Sequence, residues 1–417
     1  MPASKLVTVG GSANSVEALF NSLQGFDRKL INAMREMPLS PLKNMSWKAQ
    51  EVWEKTTTTY PRLFPAKDCW LQEPPRQSDL ILETLEIIER QVPNQEDTFD
   101  VHFHGELSTI DPRIAVAQLS DPNPTGAIDL VGLRAAHMEE DMVTTPRELS
   151  KIMQAHDRRN FQLLLTPKYC HTDLHIDSGE GLGVPLGACE KIWICYPPTV
   201  KNFDLYTKSR KPNTRLENLG RNLEGGVIFR MTPNDAVYLP VGCIHTVFTI
   251  TGGFLHTMDF VTPESSRGFV KLLGTYLDVR GFNSPFTVQC FEQFLASIDL
   301  ALSHNRIQLA VSSWLEALDP IRQYAENDKI WRKDMTVIWE EFLETAAAKK
   351  IICPCGRGVR GNFSSHFQAE HLWKKVRTPL KAVSSAPKRG IIKKLRERKK
   401  RNRDEDGEWK SAKRVRR

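Results

Sequence analysis

The chain contains no stretch of eighteen apolar residues, so no segment reads as a membrane span. Its first twenty residues, MPASKLVTVGGSANSVEALF, lack the apolar run of a signal peptide, which predicts a soluble, intracellular protein. Its eight cysteines (Cys69, Cys170, Cys189, Cys195, Cys243, Cys290, Cys353 and Cys355) are scattered, and only the last two lie close together. That scatter excludes a disulfide framework and predicts a reducing compartment. There is no internal repeat, which argues against a solenoid. The basic runs KRGIIKKLRERKKRNR and KRVRR contain no aromatic residue and no recognition-helix pattern, which argues against sequence-specific DNA reading.

What the chain does have is an uneven charge. Residues 374–417 carry 19 Lys/Arg against 5 Asp/Glu, a net of +14, and the whole chain carries +7, which leaves residues 1–373 at −7. A mildly acidic body with a strongly basic tail predicts nuclear import or non-specific contact with nucleic-acid phosphates. A solvated, disordered end is the plainer account of the same tail, and the two are compatible.

The patterns divide the 417 residues into five regions. Residues 1–95 read as a helical and irregular segment, with helical spacing in SVEALFNSLQGFDRKLINAMREM and SDLILETLEIIERQV. Residues 96–265 carry short strand-like runs: FDVHFHGEL, RIAVAQL, AIDLVGL, FQLLLTP, YCHTDLHID, KIWICYPP, GGVIFRMTP, DAVYLP, IHTVFTI and FLHTMDFV. Within them, TPRELSKIMQAH predicts a helix, with Thr145 as cap, Pro146 in the first turn and Glu148 closing a capping box. The expected fold class is mixed α/β (α+β), with a double-stranded jelly-roll core. Residues 266–350 predict a helical bundle of about four helices. Residues 351–375 hold a Cys/His cluster, and residues 376–417 form the basic tail.

Two constellations carry chemistry. YCHTDLHIDS contains His-x-Asp twice, as His171/Asp173 and His175/Asp177. Residues two apart on a strand share a face, so either pair can converge on a metal. Two histidines and one carboxylate, with positions left open, suit a non-haem Fe(II) oxygenase. The distal candidate is His245, which follows a strand and a Pro-Val-Gly turn, and His256 competes with it. Thr249 shares a face with His245 and is a pocket candidate. The second constellation, CPCGRGVRGNFSSHFQAEH, offers Cys353, Cys355, His366 and His371, two thiolates and two imidazoles that make a tetrahedral zinc set.

The stretch YCHTDLHIDSGEGLGVPLGACEKIWICYPP followed by DAVYLPVGCIHTVFT resembles the JmjC family of Fe(II)- and 2-oxoglutarate-dependent oxygenases, and within it the histone lysine demethylases. The shared parts are T-x-x-H-x-D, a lysine-bearing strand ending near Pro, and a Pro-x-x-x-x-His turn, in order over residues 160–262. The resemblance selects the second register, because Thr172 then stands three before His175. It implies His175, Asp177 and His245 as iron ligands, with Lys191 and Thr172 binding the far carboxylate of 2-oxoglutarate. It implies a cupin-like jelly roll and dioxygenase chemistry on histone tails in chromatin, with protein partners for targeting. The alternatives carried with it are a protein hydroxylase and a chromatin scaffold without turnover. Three positions depart from the pattern: Leu174 replaces an aromatic, Cys243 stands where a tryptophan is common, and GEGLGVPLGA lacks an aromatic-rich strand.

Overall fold

The structure is a computed structural model. It describes residues 15–372 apart from 57–58, 96–97, 136–141, 150–153, 156–160, 178, 210–212, 281–284, 328–336, 341, 345–350 and 356–361. The basic tail lies outside the described residues. The chain divides into two compact units, residues 1–290 and 291–417.

The first unit opens with α1 (Val16–Asn21), α2 (Arg28–Arg35), β1 (Ser40–Pro41), α3 (Trp47–Thr56), β2 (Arg62–Pro65) and α4 (Gln77–Arg90). Next come β3 (Asp100–Phe103), β4 (Glu106–Leu107), α5 (Arg113–Gln118), β5 (Ile128–Leu133) and β6 (Gln154–Ala155). The central run is β7 (Phe161–Thr166), β8 (His171–Ile176), β9 (Glu180–Leu186) and β10 (Glu190–Tyr196). It continues through α6 (Val200–Lys208), α7 (Arg215–Leu219), β11 (Val227–Met231), β12 (Asp235–Leu239), β13 (Ile244–Thr251) and β14 (Gly253–Val261), and α8 (Ser265–Arg280) follows.

These strands make a mixed α/β structure with two largely antiparallel sheets. The smaller sheet has the order β1-β11-β10-β13-β8, and the larger β2-β12-β9-β14-β7-β5-β3-β4, with β6 also on β14. Only the β1–β11 pairing is parallel among those described. From β7 to β10 the chain alternates between the sheets, and from β11 to β14 it does so again.

Alternation of side chains assigns each face. Trp193, Phe229 and Val247 of the smaller sheet share one buried cluster with Val237, Leu239 and Leu255 of the larger. On β14, Leu255 faces that cluster, whereas Phe254, Met258 and Phe260 point the other way. There they pack with Leu80 and Ile87 of α4 and with Ala115 and Val116 of α5.

Three local expectations differ from the structure. RIAVAQL is helix α5 rather than a strand: Pro112 sits at its start with φ −62° and ψ −22°, and Asp111 Oδ1 accepts from Arg113 N at 3.0 Å. Residues 145–149 of the expected TPRELSKIMQAH helix are irregular. Thr144 N donates to Cys69 O at 2.9 Å and Val143 bridges Trp70, so pairing with the 69–71 segment replaces the helical start. Gln154–Ala155 is strand β6; residues 150–153 and 156 lie outside the described set. Within the N-terminal region, the short strands β1 and β2 extend one sheet each. Finally, the Gly-rich stretch forms β9, buried along its whole length between β12 and β14. Flanked on both sides, such a strand needs little side-chain bulk, which is why its composition hid it.

Helix α9 (Pro285–Ser303) starts in the first unit and ends in the second, which continues with α10 (Ile307–Glu316) and α11 (Leu318–Asn327). Residues 337–340 and 342–344 are also helical, and α12 (Phe363–Glu370) follows. Trp314 and Trp339, both fully buried, meet edge to face with centroids 5.2 Å apart.

Candidate metal centre

The register between β8 and β13 carries an irregularity that shapes the site. His175 pairs with His245 and Ile176 with Ile244, but Thr172 pairs with Val247 and His171 with Phe248. Asp173 and Leu174 therefore lie opposite Thr246 alone, a β-bulge. Cross-strand partners share a face, so Thr172 and His175 both join the side of His245 and Val247, although they stand three positions apart. A regular strand would have split them. Thr246 Oγ1 donates to Thr172 O at 2.7 Å, satisfying a carbonyl within the bulge.

His171 and Asp173 serve the structure elsewhere. The His171 ring stacks on Phe248 at 4.3 Å, and its Nε2 meets Thr246 Oγ1 at 3.0 Å. Packing around it pulls its pKa down to about 4. The Asp173 carboxylate accepts from Arg215 N at 2.7 Å and Leu216 N at 2.9 Å, fixing the start of α7.

His175, Asp177 and His245 converge, with one ligand-type atom from each within 4.8 Å of the others. His175 Nε2 lies 3.6 Å from Asp177 Oδ1, and His245 Nε2 lies 3.5 Å from Asp177 Oδ2. The two imidazole rings are 4.0 Å apart. Each ring is oriented from behind: His175 Nδ1 donates to Asp173 O at 2.9 Å, and His245 Nδ1 to Cys243 O at 3.1 Å. A carbonyl only accepts, so the proton belongs on Nδ1 and the lone pair on Nε2, which faces the cluster. Burial pushes the His245 pKa down to about 4. The turn before His245 is closed by Cys243 N donating to Pro240 O at 3.1 Å, and Gly242 occupies φ +75°, a region that favours glycine.

On the same inner face, β10 runs beside β13 with Cys195 opposite His245, Trp193 opposite Val247 and Lys191 opposite Thr249. Trp193 lies beside the His245 ring with centroids 5.7 Å apart. Lys191 is only 2% exposed, and its Nζ donates to Thr166 Oγ1 at 2.6 Å and Thr249 Oγ1 at 2.9 Å. It therefore reaches from the smaller sheet to β7 of the larger. Thr172 shares this inner face, yet the hydroxyls on Lys191 are those of Thr166 and Thr249.

Two carboxylates near the face, one buried and one half-buried, escaped the sequence reading. Leu130 pairs with Leu165, which sets Asp129 of β5 beside Thr166. Burial pushes its carboxyl up, against the opposing pull of His102 and Lys191. An acid inside the apolar run AIDLVGL was the available signal. Asp259 of β14, opposite Gly181, is pushed up to about 7 by burial and the charge of Asp177. His256 belongs elsewhere: it faces Trp70 and Phe161, with ring centroids at 6.3 and 5.6 Å, on the outer side of the larger sheet.

In the second unit, Cys353, Cys355, His366 and His371 also bring their donor atoms within 4.8 Å of one another. Cys353 Sγ is 3.4 Å from His371 Nε2, and Cys355 Sγ is 3.2 Å from His366 Nε2. His366 lies on α12, whereas His371 follows its last residue with φ −124° and ψ −11°. The helix must end for the second ring to turn back.

No protein-family model matches the chain. Curated relatives do, and all of those reported below bear the name "JmjC domain-containing histone demethylation protein 1". The protein from Caenorhabditis briggsae is 31% identical over 106 residues, 24% of this chain and 10% of the relative. That from Debaryomyces hansenii is 32% identical over 117 residues, 22% of this chain and 23% of the relative. That from Kluyveromyces lactis is 24% identical over 193 residues, 46% of this chain and 40% of the relative. The matches thus span a tenth to two fifths of those relatives' own length. Among the described residues no helix is long and apolar enough to cross a membrane. Resemblance in motif order and similarity to these proteins agree: the chain is a relative of the JmjC-domain proteins.

Proposed function

We propose that β7–β14 form a JmjC-type double-stranded β-helix and that the chain is an Fe(II)- and 2-oxoglutarate-dependent dioxygenase acting on methylated lysines of histone tails. One observation carries the reading. Two imidazole Nε2 atoms and a carboxylate converge on the inner face that also buries Lys191.

The donor set fits the metal: two neutral nitrogens and one carboxylate suit Fe(II), and both rings are oriented by carbonyls behind them. His175, Asp177 and His245 would hold the iron, and Lys191 would pair the far carboxylate of 2-oxoglutarate. Bound iron and 2-oxoglutarate supply dioxygen-dependent oxidation of a C–H bond, with succinate and carbon dioxide as by-products. The rest falls to the chain. Trp193 and Val247 line the face between His245 and Lys191 and keep water from the buried ammonium. Thr166 and Thr249 hold Nζ in place through their hydroxyl oxygens. A hydroxylated N-methyl group leaves as formaldehyde, giving the demethylated lysine. The basic composition of residues 374–417 supports a nuclear, chromatin-associated setting, with partner proteins for targeting.

The test is incubation with Fe(II), ascorbate and 2-oxoglutarate on a panel of methylated histone peptides, read by mass spectrometry against Asp177→Ala. Methyl loss confined to the wild type is the expected result. Oxygen gain without methyl loss would make the protein a hydroxylase. Iron and 2-oxoglutarate bound without any product would favour a scaffold.

A further inference from the structure

The Cys/His cluster of the second unit is chemically separate from the triad, and its surroundings say what it is for. Cys353, His366 and His371 are each 5% exposed, and Cys355 is partly exposed. They sit against an aromatic wall: Phe367 packs on Trp339 with centroids 4.3 Å apart, and Phe363 on Phe367 at 5.3 Å. The backbone is anchored as well. Trp314 Nε1 donates to His371 O at 3.4 Å, and Ser364 Oγ donates to Leu343 O at 2.8 Å. Asn362 Oδ1 accepts from Ser365 N at 2.9 Å and fixes the start of α12.

Two thiols and two imidazoles placed at such a wall lose their water, and weak S–H···N bonds return little of that cost. Two separate S–H···N pairs would also have no reason to meet. Here all four donor atoms meet, and both imidazoles present Nε2. With Zn–S near 2.3 Å and Zn–N near 2.0–2.1 Å, a tetrahedral site has S···N edges of about 3.5 Å. The observed 3.4 and 3.2 Å are close to that edge. Soft thiolates with imidazoles select zinc over magnesium or calcium, and four protein donors leave no position for a substrate.

We propose that Cys353, Cys355, His366 and His371 bind one structural zinc ion, which clamps the 353–355 turn to α12 and holds α12 against Trp314 and Trp339. The clamp explains how a helix of eight residues, too short to persist alone, keeps its place. It does not depend on the oxygenase reading.

Elemental analysis of the full-length chain, purified under reducing conditions with zinc and iron supplied, tests it. The expected content is about one zinc per chain, retained through dialysis. Cys353→Ser and His366→Ala should lower zinc to background, while Cys290→Ser, a buried cysteine outside the cluster, should keep it. His371→Cys preserves a ligand and should retain zinc, which covers the case in which the loss variants fail to fold. Cobalt(II) added to metal-stripped wild type should show thiolate-to-cobalt charge transfer and tetrahedral d–d absorption. Zinc-free wild type, unchanged zinc in Cys353→Ser and His366→Ala, or a Cys353–Cys355 disulfide in the reduced preparation would each overturn the proposal. Asp177→Ala, which addresses iron alone, should leave the zinc content unchanged, so the two readings fail separately.

Discussion

The triad of the first unit and the Cys/His cluster of the second are built from similar side chains and held in opposite ways. In the triad the side chains of His175 and Asp177 remain 34% and 38% exposed, and only His245, at 3%, is closed off. In the cluster three of four residues are almost fully buried, and the donors already make a complete set. Three donors open on one side leave room for a co-substrate, whereas four closed donors leave none. The supports differ accordingly. The triad's histidines are steered by backbone carbonyls two residues back, one in β8 and one in the turn that enters β13. The cluster is backed by aromatic rings and has its donors aimed at each other. Under the two proposals above, the open side, more than the residue types, is what separates a site for chemistry from a site for shape.

The largest expected effect breaks the comparison in both directions. Asp177→Ala removes the only carboxylate of the triad and should lower iron retention and turnover by more than about 100-fold, beyond the loss typical of a residue that merely supports a ligand. Zinc in the same preparation should not change. Metal analysis of that variant beside Cys353→Ser checks this, and a variant that lost both metals would mean that the two sites are not independent.

A smaller effect sharpens the open end of the triad's face. Lys191→Ala should weaken 2-oxoglutarate binding about 10- to 100-fold, the range for charge-assisted hydrogen bonds. Among the threonines, Thr249→Val should weaken it more than Thr172→Val, because Thr249 Oγ1 is the one 2.9 Å from Nζ. Calorimetric titration measures both. Equal losses would show that Thr172 turns to the co-substrate once it binds. Next in size is His171→Ala, which forfeits a ring stack and one hydrogen bond, on the order of 1–2 kcal/mol of stability, and keeps iron. Iron loss there would move the metal to the other His-x-Asp pair.

How much of this was legible in the sequence depends on range. Local spacing together with the JmjC resemblance named the converging residues, since T-x-x-H-x-D and the Pro-Val-Gly turn are contiguous signals. The alternating runs gave most strands of the two sheets. What escaped depends on contacts far apart in the chain. The bulge at Asp173–Leu174, which puts Thr172 and His175 on one face, exists only against β13. Thr166 bonds Lys191 from another sheet, and Asp129 feels its charge from that sheet; no local pattern marks either residue. β9 is invisible as a strand because neighbours on both sides supply the bulk that its own glycines lack. In the same way, the well-signalled helix start at 145–149 is not helical where the chain just before it, Met142–Thr144, pairs with Cys69–Leu71, tertiary contact overriding propensity.

The last effect, comparable in size to that of His171→Ala, concerns the imidazoles that the metal readings leave out. Burial alone depresses the pKa of His256 from 6.5 to about 4, and neither ring nitrogen has a hydrogen-bond partner among the described residues. Below pH 6.5 the unfolded chain takes up a proton there that the folded chain refuses until about pH 4. The stability from keeping this ring neutral is therefore complete above pH 6.5, falls as the pH drops towards 4, and is fully lost below it. His171, depressed to a similar value, acts in the same window. His256→Phe places an apolar ring between Trp70 and Phe161 and has no proton to refuse. Urea unfolding of metal-free protein at pH 7 and pH 5 should show the variant losing less stability than the wild type, by on the order of 2 kcal/mol. Equal losses would mean that the His256 ring finds a proton acceptor in the folded chain, and the outer face of the larger sheet would then hold a polar site of its own.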